Sequence, residues 1–166
     1  MRRFAALLGC CLVAWSQAVS AETIGVRSLS ELVRPADLIA RVTILSEYGD
    51  PVLTRRTGYR RVAWARVTDS VKGSARDALI PLYYDTGWLC PNVSYLKGED
   101  VLLFAYRTGR GYAAIYWSTG KMVITRDSVH HWDLFPKSAR YEDVRDQVER
   151  LLTGARAPLI THRIVR

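Results

Sequence analysis

Asp85-Thr86-Gly87, Cys90 and the run His130-His131-Trp132-Asp133 carry the residue types that could do chemistry in this chain. Asp-Thr-Gly is the motif on which an aspartic protease builds its catalytic pair, two carboxylates that share one proton. The residue after that glycine must be small for the loop to fold beside its twin, and here it is Trp88. No second such motif exists in the sequence, so a pair would need two copies of the chain. Aspartate and glycine are also ordinary turn residues after a strand, which is the reading adopted. Adjacent histidines on an extended chain point to opposite faces, so one ion could not take both His130 and His131. They are read as a solvated loop with Trp132 as a packing anchor. Cys90 and a histidine could form a nucleophile–base pair, but no spacing joins them. The sequence also lacks a Gly-rich phosphate loop and a Gly-x-Ser-x-Gly elbow. The expectation is a non-catalytic chain with no metal site and no cofactor. A hydrolase using Asp85, Cys90 or His130 is the alternative.

Binding chemistry is better represented. Arg55, Arg56, Arg60, Arg61, Arg66, Lys72 and Arg76 are interrupted by a single acid, Asp69, and lie beside Tyr59 and Trp64. Such a stretch could draw polyanions by charge and hold them by stacking. The plainer reading is a set of solvated arginines with their stems laid over apolar surface. Loop 85–95 sets Trp88, Pro91 and Tyr95 in one exposed-looking segment, and aromatic residues of that kind can anchor a protein interface. Arg55, Arg56, Arg60, Arg61, Trp88 and Tyr95 are the predicted binding residues. A protein partner is expected first; an anionic polymer or membrane surface is the alternative.

These residues are held by a β-rich pattern. Ser28-Leu29-Ser30-Glu31 fits a capping box ahead of a short helix that Pro35 ends. Residues 38–45 alternate as a strand. Residues 49–58 read as an exposed hairpin loop. The long strand that follows slips phase between Trp64 and Val67, as a β-bulge would cause, and Lys72-Gly73 ends it. Ile80, Leu82 and Tyr84 alternate in a short strand, with Pro81 at an edge or near its start. Residues 101–106 are almost wholly apolar, as in a strand covered on both faces. Gly109 and Gly111 mark a turn, and residues 112–117 and 121–125 read as two more strands. Tyr141, Val144, Val148, Leu151 and Leu152 recur at helical spacing, with Gly154 as a C-cap.

Residues 1–21 have the layout of a secretory signal. Arg2 and Arg3 precede an uncharged apolar run, and Val19 and Ala21 sit at the −3 and −1 positions of a small-residue cleavage site. That run is about half the ~20 residues that a spanning helix needs. A lipid-carrying Cys10 is the competing reading, and a short preceding apolar run with Leu8 in a small-residue position argues against it. The expectation is an exported protein, periplasmic or secreted, cleaved after Ala21. Residues 22–154 would form one domain and residues 155–166 a basic tail. Cys10 and Cys11 would leave with the signal, so Cys90 would stand unpaired and packing alone would hold the fold. The formal charge of the whole chain is +8.

The order "ADLIARVTIL", "VAWARVTDSVKG", "LCPNVSYLKGEDVLLFAY" resembles the bacterial relatives of the netrin and tissue-inhibitor-of-metalloproteinase modules. The matching residues are Ala36-Asp37 before the first strand, Lys72-Gly73 closing the second, Cys90 in a loop, and Gly98-Glu99 before the apolar strand. The resemblance covers about half of the chain after the signal, residues 35–107. It implies a mainly β fold: a five- to six-stranded OB-type Greek-key barrel with a short N-terminal helix and a packed C-terminal helix. Inhibitors of this group hold a protease zinc through an N-terminal cysteine, whereas the expected terminus here is Glu22, so inhibition does not carry over. The usual partner of the loop cysteine is also missing. Cys90 is then an inherited position without its partner, or a small buried hydrophobe.

Overall fold

The computed structural model of the chain describes residues 28–48, 51–55, 57–87, 92–131, 134 and 138–154. The predicted signal, the basic tail and Cys90 lie outside them. Strands β1 (Leu38–Tyr48), β2 (Arg61–Lys72), β3 (Leu79–Tyr84), β4 (Asp100–Thr108) and β5 (Gly111–Ala114) close into a ring in the order β1-β2-β3-β5-β4-β1. Every neighbouring pair in the ring is antiparallel except β3 and β5, which run parallel. This is the predicted OB-type Greek-key barrel. Five strands make the ring, and the sixth does not join it. One edge of β4 is divided: residues 105–108 pair with β5, and residues 101–103 pair with β6 (Lys121–Thr125). The short strands β7 (Ser128–His130) and β8 (Ala139–Arg140) extend the sheet from there.

Strand alternation sorts the residues into two cores. Leu38, Ala40, Val42 and Ile44 of β1 face the barrel interior, with Ala63, Ala65 and Val67 of β2, Ile80, Leu82 and Tyr84 of β3, and Val101, Leu103 and Ala105 of β4. Full burial of each Val, Leu or Ile contributes about 1.5–3 kcal/mol. The apolar run of β4 has its other face covered too, since Leu102 and Phe104 belong to an outer core beneath the helices. On β2 the inward residues are the alanines, so Val62 and Trp64, which share a face, point outward. The β1–β2 register shifts between Ile39 and Ala40, Arg41 and Val42, and Ile44 and Ser46. Three irregularities let two long strands bend around a narrow barrel. The slip expected between Trp64 and Val67 is a correction: Ala63, Ala65 and Val67 alternate inward without a break, and the pattern jumps only because apolar residues lie on both faces of β2. Pro81 is near the start of β3 rather than at a sheet edge, because β2 and β5 flank that strand.

The outer core is built by α1 (Leu29–Val33) and α3 (Tyr141–Leu152). Leu29, Leu32 and Val33 meet Tyr141, Val144 and Val148 over Ile39, Leu102 and Phe104. Glu142 and Asp143 lie in the first turn of α3 and Arg150 in the last, matching the helix dipole at both ends. Gly154, at φ 71°, supplies the left-handed residue just past the helix. The hydroxyl bond expected of a capping box at α1 does not form. Ser28 holds the N-cap position without a side-chain cap bond, and its Oγ lies 2.8 Å from Ser30 Oγ. A charged network ties α3 to the barrel wall. Arg41 donates twice to Asp100 Oδ2, at 2.6 and 3.0 Å, and lies 4.8 Å from the centre of the Tyr141 ring. The Tyr141 hydroxyl donates to Asp69 at 2.8 Å, and Arg145 pairs with the same carboxylate.

Ala36, Asp37, Lys72, Gly73, Gly98 and Glu99 lie at the two ends of the barrel's seams. Lys72 Nζ donates to the Ala36 carbonyl. Gly73, at φ 89°, lies so close to the Asp37 carbonyl that any Cβ would overlap it. Asp37 accepts the Arg107 amide on Oδ2 at 2.8 Å, which fixes the start of β1 against β4. At the other end of that seam, Gly98 donates to the Ile44 carbonyl at 2.7 Å and Ile44 donates to Glu99 at 2.9 Å.

Candidate binding face

Three connections converge beside the outward face of β2, β3, β5 and β4. The β1–β2 connection contains a four-residue helix, α2 (Pro51–Thr54), then Arg55 and residues 57–60. The Arg60 amide donates to the Asp85 carbonyl at 2.7 Å, which joins this connection to the one after β3. The Arg60 guanidinium occupies the space in which a Cβ on Gly87 would stand, and Gly87 has φ 80°. Thr57 packs against Gly109 in the β4–β5 turn. In OB-type barrels the β1–β2 and β4–β5 connections and the strand face between them commonly take up oligonucleotides and oligosaccharides.

The floor of this region is aromatic. Register places Val62 opposite Tyr83, and Tyr106 opposite Ala113, on the outward surface. Val62, Tyr83 and Ala113 form a small buried cluster there, covered by Tyr59. The Tyr59 and Tyr83 rings are stacked with centroids 6.2 Å apart and planes inclined by 22°. The Tyr59 hydroxyl also bonds to that of Tyr106, which is exposed. Burial first, and then the bond to Tyr106, pushes the Tyr59 hydroxyl well above the ordinary tyrosine pKa. At the barrel mouth the Tyr84 hydroxyl donates to Glu47 at 3.1 Å. Its pKa is raised, chiefly by burial and then by Glu47, with Arg61 opposing.

Arg55, Arg60, Arg61, Arg66 and Arg110 are exposed. Arg61 pairs across the strands with Tyr84, so it stands at the barrel mouth on the interior side of β2 rather than on the outward face of Val62. The ion pairs among the described residues use Arg41, Lys121, Arg140 and Arg145, and none uses these five. Asp85, at φ 59°, spends one carboxylate oxygen on the Gly87 amide at 2.8 Å. It therefore shapes the turn, which is the role that its motif suggests outside a protease.

Of the six residues predicted to bind, Arg55, Arg60 and Arg61 are exposed in or just after the β1–β2 connection. Arg56 and Trp88 lie outside the described residues. Tyr95 is a correction: it is fully buried inside the barrel. Five alanines in the interior core, Ala40, Ala63, Ala65, Ala105 and Ala114, leave room that Tyr84 and Tyr95 fill edge to face, 5.4 Å apart. Burial, and then the Glu99 charge, raises the Tyr95 pKa strongly. Its loop is held by Lys121, which donates to Glu99 at 2.7 Å and to the Ser94 carbonyl at 2.6 Å. Nothing in the sequence groups Tyr59, Tyr83 and Tyr106. Only the register of distant strands joins them, although Tyr59 stands beside the arginines along the chain.

His131 is a second correction, because it is buried rather than solvated. The Leu134 amide donates to Nδ1 at 3.1 Å, so Nε2 carries the proton and donates to the Thr119 carbonyl at 3.1 Å. His130 is exposed at the end of β7. Its strand is separated from β3, which leads to Asp85, by β5, β4 and β6 in the sheet. Trp132 and Asp133 lie outside the described residues. Among the described residues, no group of three or more His, Cys, Asp or Glu is placed to hold a metal ion, and no helix is long and apolar enough to cross a membrane.

Comparison of the chain with protein-family models, with curated proteins and with solved structures finds no match.

Proposed function

We propose that this chain is an exported, non-catalytic OB-type module, of netrin-like kind, that binds an anionic polymer across the face bounded by its β1–β2 connection and β4–β5 turn. The observation that supports this reading is the exposure of Arg55, Arg60 and Arg61 in and just after the β1–β2 connection that carries Tyr59, with none of the three in an ion pair among the described residues. Cations that no internal acid neutralises are available to a polyanion, and the aromatic floor offers stacking. The burial of Tyr95 weakens the protein-docking reading, which relied on loop aromatics. The netrin-like assignment is supported by the seam contacts of Ala36, Asp37, Lys72, Gly73, Gly98 and Glu99, which give these six motif residues a place in closing a barrel.

The test uses immobilised heparin and single-stranded DNA as two chemically different polyanions. The chain should be retained on at least one and elute steeply with salt. On DNA, an Arg55→Ser, Arg60→Ser, Arg61→Ser variant should reduce the slope of log K against log salt by about 2, near 0.7 for each phosphate left without its arginine. Retention unaltered by the substitutions overturns the assignment of the face. Retention on neither polymer, with capture of an acidic protein, returns the reading to a protein partner.

A further inference from the structure

Tyr116 and Trp117 stand apart from the face just described. The strand expected over residues 112–117 stops at Ala114, and the chain turns through Tyr116 at φ 47°, ψ 43° and Trp117 at φ 54°. Left-handed backbone at a bulky residue costs of order 1–3 kcal/mol, and two in succession need a cause. Part of the cause is Gly120, where a Cβ would overlap the carbonyls of Phe104 and Ile115, so the chain must double back tightly. Ile115 donates to the Phe104 carbonyl at 2.9 Å and Gly120 donates to the Ile115 carbonyl at 2.8 Å, which locks the turn. Ring burial is not the return on this strain. The two residues remain 44% and 38% exposed.

The turn instead sets Tyr116 at a cleft of about 380 Å³ whose other walls are Ser30, Glu31, Arg34 and Pro35 from α1 and its exit. The lining is amphipathic and charge-balanced: an aromatic ring and a proline, one carboxylate, one guanidinium and one hydroxyl. A net charge on the ligand would gain from one of Glu31 and Arg34 and lose to the other. A pyranose suits such a site, because its C–H face lies on an aromatic ring while its rim of hydroxyls both donates and accepts. We propose that this cleft is a binding site for a sugar unit of a neutral oligosaccharide, with Tyr116 as the stacking platform and Glu31 and Arg34 as the hydrogen-bonding rim.

The test titrates the full chain with chitotetraose and maltotetraose and follows the Trp117 indole and Tyr116 backbone signals by NMR. Saturable shifts with one of the two sugars are expected, weakened at least tenfold by Tyr116→Ala and severalfold by Glu31→Gln or Arg34→Ala. Tyr116→Gly separates binding from folding: it relieves the left-handed backbone, so it should melt higher than the parent chain while losing the sugar. The proposal is overturned if neither sugar shifts these signals, or if Tyr116→Ala and Tyr116→Gly bind as the parent does. Arg55, Arg60 and Arg61 line no part of this cleft, so their replacement should leave sugar binding unchanged.

Discussion

The Arg60 guanidinium lies against the backbone of Gly87, in the volume that a side chain at that position would need. One glycine thereby sets where an arginine of the binding face stands. Gly87→Ala should displace Arg60 and strain a residue at φ 80°. A stability loss of about 1 kcal/mol is expected from the backbone alone. Retention on heparin should fall with it, while Arg60→Ser in the parent chain should remove most of the further effect of Gly87→Ala. Equal losses on both backgrounds would mean that the glycine does not act through Arg60.

Gly73 and Gly98 both have positive φ, at 89° and 83°, yet their surroundings differ. A Cβ at Gly73 meets the Asp37 carbonyl, whereas nothing lies within 4 Å of one at Gly98. Gly98→Ala should cost about 1 kcal/mol, the strain of the conformation. Gly73→Ala should cost distinctly more, roughly 3 kcal/mol, because the β1–β2 seam must also open. Urea denaturation of the two variants decides this, and equal midpoints would show that the seam contact contributes nothing.

Tyr95 is fully buried, and its hydroxyl has no hydrogen-bond partner among the described residues. An unpartnered buried hydroxyl is a cost that its removal relieves. Tyr95→Phe should therefore leave stability unchanged or raise it by up to about 1 kcal/mol. Tyr95→Ala should lose about 3–5 kcal/mol by emptying the barrel. A Tyr95→Phe variant that melts well below the parent chain would contradict this account of the interior.

Burial raises the hydroxyls of Tyr59, Tyr95 and Tyr141 above their ordinary value, with Tyr106, Glu99 and Asp69 respectively adding to the effect. The unfolded chain releases these protons near pH 10, before the folded chain does. Their contribution is thus complete below about pH 10 and is lost as pH rises from there toward the folded values. Denaturation at pH 9 and at pH 11 should show the loss, and absorbance at 295 nm should report tyrosines that ionise only on unfolding. Stability that is flat between the two values would contradict the burial of these hydroxyls.

The barrel was legible because residues 38–45 and 80–84 alternate and residues 101–106 form an apolar run suited to a strand covered on both faces, and each falls where its residues predict. The bulges were not legible, because the jump from Trp64 to Val67 reflects apolar residues on both faces of β2, while the breaks on that strand fall at Thr68 and Val71. The end of β5 was not, since Tyr116 and Trp117 are residue types that disfavour left-handed backbone, and the need for it arises from Gly120 packing on Phe104. Tyr95 looked like a surface anchor because its loop is polar and Pro-containing. Its burial follows from the small side chains on β1, β2, β4 and β5, which only the closed ring brings around it. The arginines of the binding face were visible as a run, but the tyrosine floor depends on pairings between β2 and β3 and between β4 and β5.

The most direct measurement is an amide and arginine side-chain NMR titration of the chain with a short heparin oligosaccharide. The account predicts saturable shifts grouped at Arg55, Tyr59, Arg60, Arg61, Gly87, Tyr106 and Gly109, weakening as salt is raised. Shifts centred on α3 or on the β6–β7 hairpin, with these residues silent, would contradict it.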